Sequence, residues 1–394
     1  MFQLPLPVWF LSAAQALGMC SAPLVIFVGG IIGAQLAPSE SLATLPVAAF
    51  IIGSALASMP AALIMQRIGR RMGFLAATLV ALLGAILAFS SISSQNFWGL
   101  CFSIALLGVH IAFVAQFRFA ALEWVKADQA AQAASVVLLG GLVAAIFGPE
   151  LALFGKDIMA AQFAGAFVLL AGVHSLLFLL LWFIPYADMQ GAENHSSGRS
   201  LGELLKVPSI GAAITAGAVG YGVMSLIMTA TPVSMTKISG FPLEESKVVI
   251  QSHILAMFLP SLFSPFLFKV LGIRNIMILG LVAFVCAISV ALSGQGYWHY
   301  WIALIFLGVG WNFLFVSGTG LLAQSYTKEE SFKVQAVNDG LVFSSQAVMS
   351  LMSGWLVFAF GWNSLNIFAL VMLILSLLFI VRWVLSEKQT QSAS

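Results

Sequence analysis

The sequence predicts an all-α membrane protein whose twelve transmembrane helices form two similar six-helix halves. Three observations predict it: an extreme apolar composition, polar breaks at near-regular intervals, and short motifs that recur about half a chain apart. Of 394 residues, 61% are hydrophobic and 8% are charged, with a mean hydropathy of +1.05. A soluble protein carries about 25% charged residues and has too little interior to hide this much apolar surface. Lipid is therefore the solvent for most of the chain. A spanning helix needs about 20 apolar residues, so twelve spans leave no room for a sizeable water-soluble domain. Cys20, Cys101 and Cys286 lie in apolar runs without paired spacing, which indicates neither a disulfide framework nor a zinc module. The first stretch, "MFQLPLPVWFLSAAQALGMCSA", has no basic segment ahead of its apolar run and is read as the first span, not a signal peptide.

Polar or turn-forming breaks place the spans at 8–35, 41–65, 73–93, 97–124, 130–154, 161–186, 208–235, 247–270, 275–293, 298–326, 334–358 and 362–384. The longest polar segment, 187–209, falls midway and reads as a cytoplasmic linker between a 1–186 half and a 210–394 half with a short C-terminal tail. With both termini inside, twelve of the sixteen Lys and Arg residues face the cytoplasm. Only Lys156, Lys237 and Lys247 lie outside, and Arg118 sits within the fourth span. That asymmetry follows the positive-inside rule and predicts this orientation, with both termini cytoplasmic.

The halves share motifs in order. "MQRIGRR" (65–71) aligns with "FKVLGIR" (268–274), putting Gly69 over Gly272 and Arg71 over Arg274. "LLGV" (106–109) aligns with "FLGV" (306–309), and "AQAAS" (131–135) with "VQAVN" (334–338). Matched offsets of this kind mark a duplicated six-helix unit. Over nearly its whole length the chain resembles the major facilitator superfamily. "QRIGRR" (66–71) is similar to that superfamily's loop between helices 2 and 3, with Gln66 where its pattern has an acid. The resemblance implies that helices 1, 4, 7 and 10 line a central cavity and that 2, 5, 8 and 11 join the halves.

Two methionines, Met224 and Met228, stand four apart in the seventh span, and His253 and Met257 stand four apart in the eighth. That spacing puts each pair on one helix face. At about 1.5 Å per residue from the outer ends, Met228 lies about 12 Å deep, Met224 about 18 Å, His253 about 9 Å and Met257 about 15 Å. Thioethers with imidazole suit copper(I), whereas zinc recruits thiolate or carboxylate and manganese or magnesium wants oxygen. Methionine is also a common gap-filler in helical cores, and spacing leaves both readings open. Met-x-x-x-Met followed by His-x-x-x-Met resembles the signature of the CcoA-like transporters. Those are major facilitator copper importers that supply cytochrome oxidase assembly. The resemblance implies that Met224, Met228, His253 and Met257 bind copper, as transported substrate and not as a resident cofactor.

Other polar groups within the spans are candidates of a second kind. His110, about 20 Å into the fourth span, is a transit ligand, a protonation site or a bonded core histidine. Met19 and Cys20 touch the ion or pack. Within the implied fold the loop after the second span lies beside the start of the eleventh, so Arg67 or Arg70 pairs with Asp339 at an inner gate, or Asp339 is solvated. Glu150 gates the outer side or caps a broken turn. His174 and Cys286 read as core. No phosphate-cradling loop, nucleophile elbow or metalloprotease motif occurs, so nothing points to catalysis or to nucleic acid. The expected function is copper(I) import by alternating access, with copper donor and acceptor proteins as partners beyond the bilayer. The alternatives are transport of a small organic solute and a non-transporting copper receptor or assembly partner.

Overall fold

The computed structural model describes residues 4–125, 130–184, 199–327 and 330–393. Lys126, Lys328 and the expected linker as far as residue 198 lie outside the described residues. Helices α1 (Leu6–Met19) and α2 (Ser21–Leu36) run on as one span, tightened at Cys20, whose N–H donates to the carbonyl of Leu17. Then come α3 (Leu45–Ile68), α4 (Arg70–Ser93), α5 (Phe97–Val114), the short α6 (Phe117–Leu122), α7 (Ala130–Phe154) and α8 (Ala164–Phe183). After a single turn, α9 (Leu201–Leu204), follow α10 (Pro208–Val233), α11 (Leu243–Phe258), α12 (Ser264–Ser293), α13 (Tyr297–Gln324) and α14 (Ser331–Ala393). Among the described residues eleven segments are long and apolar enough to cross a membrane. The last, Lys333–Ser386, covers 54 residues and breaks at Gly361 (φ 82°, ψ 171°), so it supplies two spans and the total is twelve. Large apolar side chains such as Leu56, Phe154 and Phe183 stand 72%, 79% and 77% exposed, which suits a surface facing lipid.

The duplicated loop motif is reproduced in the backbone. Gly69 has φ 81° and ψ 155°, and Gly272 has φ 74° and ψ 160°. That region belongs almost wholly to glycine, because a Cβ there meets the backbone. Each glycine ends one helix and starts the next without a longer loop. Beside the first, the Arg71 guanidinium lies 5.4 Å over the Trp182 ring and donates to the Trp182 carbonyl at 2.6 Å. Beside the second, Arg274 and Trp383 line one open cavity of about 380 Å³. Trp182 and Trp383 are thus a further pair of equivalent positions.

The chain forms two compact units, Met1–Ala192 with Pro242–Ile254, and Glu193–Phe241 with Leu255–Ser394. In the first unit α1 packs on α7, where Ser12 Oγ donates to the Val136 carbonyl at 2.7 Å. Helices α3 and α5 touch backbone to backbone. A Cβ on Gly53 would lie 2.1 Å from the Ala105 carbonyl oxygen, and one on Gly108 would lie 1.9 Å from that of Phe50. Small residues permit such close approach in lipid, where helix association rests on packing. In the second unit α10 packs on the first part of α14 through Ser345 Oγ to the Ala218 carbonyl (2.8 Å) and Ser353 Oγ to the Leu226 carbonyl (2.9 Å). The first span on the fifth and the seventh on the eleventh are equivalent contacts in the two halves.

Candidate functional site

The four expected ligands are all buried: Met224 at 1% exposure, Met228 at 2%, His253 at 0% and Met257 at 8%. Helices α10 and α11 are continuous through them, so each pair shares one face. Met224, Met228 and Met257 belong to the second unit, and His253 belongs to the segment that groups with the first. Among the described residues no three His, Cys, Asp or Glu side chains gather closely enough to hold a metal.

The second unit holds an aromatic cluster one turn from Met224. Tyr221 on α10 meets Trp311 and Phe315 on α13 edge-on, at ring-centroid distances of 5.0 and 5.2 Å. Trp311 and Phe315, one turn apart, stack at 5.2 Å with their planes 11° apart. Phe258, at the end of α11, reaches Trp311 at 6.1 Å. Beside them Asn312 is 1% exposed and bonds through Nδ2 to the Met257 carbonyl (2.7 Å) and to Ser261 Oγ (2.5 Å). The reason is local. Pro260 has no N–H, and the helix tightens into a 3₁₀ turn over Leu259–Phe263, so the Met257 carbonyl takes its donor from α13. Asn312 Oδ1 and the Trp311 indole N–H are enclosed without a hydrogen-bond partner among the described residues. So is Ser225 Oγ, one turn on from Tyr221. An enclosed polar group left unpaired costs about 1–3 kcal/mol, so a partner supplying both donors and acceptors would be favoured at these atoms.

In the first unit His110 and His174 stand edge to face, with ring centroids 4.9 Å apart, and Ser21 Oγ is 2.9 Å from His174 Nε2. Met19 is half-buried next to this group, and the Cys20 thiol donates to the Ala16 carbonyl. Of the expected gate residues, Arg67 is exposed at the end of α3, and Arg70 pairs with Glu123. Asp339 accepts from Asn338 at 3.0 Å. Glu150 pairs with Lys247 at 2.7 Å, inside the first unit, while Gln251 donates to the Ile146 carbonyl at 2.9 Å.

Sequence reasoning missed three features. Asn312, in "LGVGWN" (307–312), was not singled out, although an Asn in an apolar span is itself a signal of function. His174 read as core. Glu330, 2% exposed, receives Arg199 through Nε (2.7 Å), Nη2 (2.8 Å) and the backbone N–H (3.0 Å). Those bonds from Arg199, with another from the Thr327 N–H, hold the Glu330 carboxyl down at about 2 and raise Arg199.

Residues 9–264 and 213–394 match the Major Facilitator Superfamily. The chain belongs to that family. The transporter is 37% identical to the riboflavin transporter RfnT of Brucella anthropi over 370 residues, 93% of either chain. It is 31% identical over 389 residues to the MFS-type transporter YddS of Bacillus subtilis, covering 94% of this chain and 88% of that one. In fold it is similar to the nucleoside transporter NupG, with a TM-score of 0.73 at 15% identity, covering 96% of this chain and 99% of that one. The Escherichia coli fucose:proton symporter FucP gives a TM-score of 0.61 at 13% identity, covering 96% and 97%. At such identities the likeness is one of fold.

Proposed function

We propose that this transporter moves a small planar heteroaromatic solute of the flavin class across the bacterial inner membrane, with both termini cytoplasmic. The observation that carries the reading is the Tyr221–Trp311–Phe315 cluster with its enclosed polar atoms, in a chain 37% identical to a transporter of riboflavin. An isoalloxazine ring offers a flat face for the half-buried rings of Tyr221 and Phe315, worth about 1–3 kcal/mol by analogy with base stacking. Its edge carries carbonyl acceptors for the Trp311 N–H and an N–H donor for Asn312 Oδ1. The two halves then alternate about the bound solute. The Glu150–Lys247 pair closes the outer side and is released for entry.

A second reading, copper(I) import, is favoured by four enclosed side chains of copper(I)-ligating type, Met224, Met228, His253 and Met257, at paired helical spacing. An inward-moving cation gains about 2.3 kcal/mol per charge at 100 mV. A neutral flavin gains nothing from the potential by itself.

Uptake of labelled riboflavin and of labelled copper(I) into the same proteoliposomes separates the readings. Riboflavin accumulation that falls in Trp311→Phe supports the flavin reading. Copper accumulation that vanishes in the His253→Ala, Met257→Ala double variant, with no riboflavin entry, replaces it. Copper binding without accumulation of either marks a receptor.

A further inference from the structure

We propose that His110 and His174 form a one-proton binding site at mid-membrane in the first unit, relayed through Ser21, and that it couples transport to proton entry. Three observations on independent helices converge there. Ser21 lies 15 residues from either end of the Leu6–Leu36 span, about 22 Å by helical rise. His110 lies 13 and 11 residues from the ends of Phe97–Ala121, and His174 lies 10 and 9 residues from the ends of Ala164–Phe183. All three are therefore central in their spans. One turn away the helices close on each other: a Cβ on Gly18 would meet Val114 at 2.8 Å and Leu177 at 3.5 Å.

The site is built for a proton and not for a metal. His110 is 1% exposed and His174 0%, and the Nδ1 atoms of both lack a hydrogen-bond partner among the described residues. A neutral imidazole has one donor and one acceptor, so each ring keeps a nitrogen available for the exchange of a proton. Charge on one ring excludes charge on the other at a centroid separation of 4.9 Å, which limits the pair to a single proton. No third His, Cys, Asp or Glu joins them among the described residues. Among the described residues the helices packed around the pair bring Cys20 and Cys101 as other titratable groups at depth, with Arg118 and Glu123 at the inner end of the His110 span and Arg67, Arg70, Arg71 and Glu150 near the ends of their helices.

The duplicated architecture supplies a control. By the alignment of "LLGV" with "FLGV", His110 corresponds to Gly310. The second half folds with glycine in that place, so packing of this fold does not require the imidazole. Ionisable groups held inside a membrane without a packing role mark ion pathways. One proton per neutral solute at 100 mV supports about 50-fold accumulation, which a flavin alone lacks.

The proton site is tested apart from the cargo. The ring nitrogens of 15N-histidine-labelled protein in bilayers are followed by NMR from pH 4 to 9. The expected result is a pair of rings sharing one proton, with the partner's titration displaced in His110→Gln and in His174→Gln. Two rings that each take a full proton independently, or rings that never titrate in that range, overturn the proposal. Coupling is then read with riboflavin as probe in proteoliposomes under an inward proton gradient. Wild type accumulates the probe and acidifies the lumen, whereas both Gln variants keep exchange of labelled for unlabelled riboflavin and lose accumulation. Gln variants that accumulate as wild type does overturn the coupling. If riboflavin does not enter at all, the flavin reading fails while the NMR result still decides the proton site.

Discussion

Asn312 uses one end of its amide twice and the other end not at all. The Met257 carbonyl can only accept, so the Nδ2 end is fixed by chemistry and Oδ1 is left enclosed without a donor among the described residues. Trp311→Phe keeps an aromatic face but removes the indole N–H and part of a buried ring. Riboflavin uptake is expected to fall about tenfold, the cost of one hydrogen bond in an enclosed site, with uptake compared at equal amounts of folded protein because the smaller ring also lowers packing. Asn312→Ala strands the Met257 carbonyl as well, so its melting temperature in detergent is expected to drop too, by the equivalent of about 1–3 kcal/mol. Glu330 makes a different kind of prediction. Its carboxyl is held at about 2, below the ordinary carboxylate value, so its contribution is present above that ordinary value and is lost as pH falls towards 2. Glu330→Gln is therefore expected to melt below wild type at pH 6 and to converge with it as pH falls through that window. Parallel melting curves at all pH values would show that the Arg199 bonds contribute nothing.

Elements meet through glycine in two distinct ways, and substitution tells them apart. At Gly69 and Gly272 the backbone itself requires glycine, while nothing lies within 4 Å of a built Cβ. Ala at either is expected to cost about 1–3 kcal/mol by strain alone. At Gly53 and Gly108 the helix is ordinary and the cost is steric, because α3 and α5 share the space. Gly53→Ala is expected to push those helices apart and lower folded yield on size-exclusion chromatography. Gly141 in α7, with open space around its Cβ, is the control: Ala there is expected to be neutral or to stabilise by about 0.5–1 kcal/mol. Equal loss in all of these variants would remove the distinction.

For the whole molecule, the twelve spans and their Lys and Arg asymmetry predict that reporters fused at the C-terminus and near Arg70 are active only in the cytoplasm, and one near Lys237 only outside. The α11 helix is continuous, yet its first part belongs to the first unit and its last residues to the second. Glu150–Lys247 is a half-buried pair, with the Glu150 side chain 43% and the Lys247 side chain 16% exposed, so a swap that keeps the pair separates a role in transport from one in stability. Glu150→Lys and Lys247→Glu are each expected to alter the uptake rate several-fold, and the double swap to restore it. A double swap no better than either single variant would leave the pair without a gating role.

Twelve spans, their duplication and the loop glycines at Gly69 and Gly272 were legible from letters alone, because lipid demands long apolar helices and a positive φ demands glycine. The paired spacing of Met224 with Met228 and of His253 with Met257 was legible for the same reason, since helical periodicity links residues within one span. What joins different spans was not. His110 with His174, Tyr221 with Trp311, Asn312 with the Met257 carbonyl and Arg199 with Glu330 are separated by 55 to 131 positions. No local period encodes such contacts. Only the packing of helices against each other turned a histidine read as core into half of a pair, and brought Tyr221, Trp311 and Phe315 into a candidate binding wall.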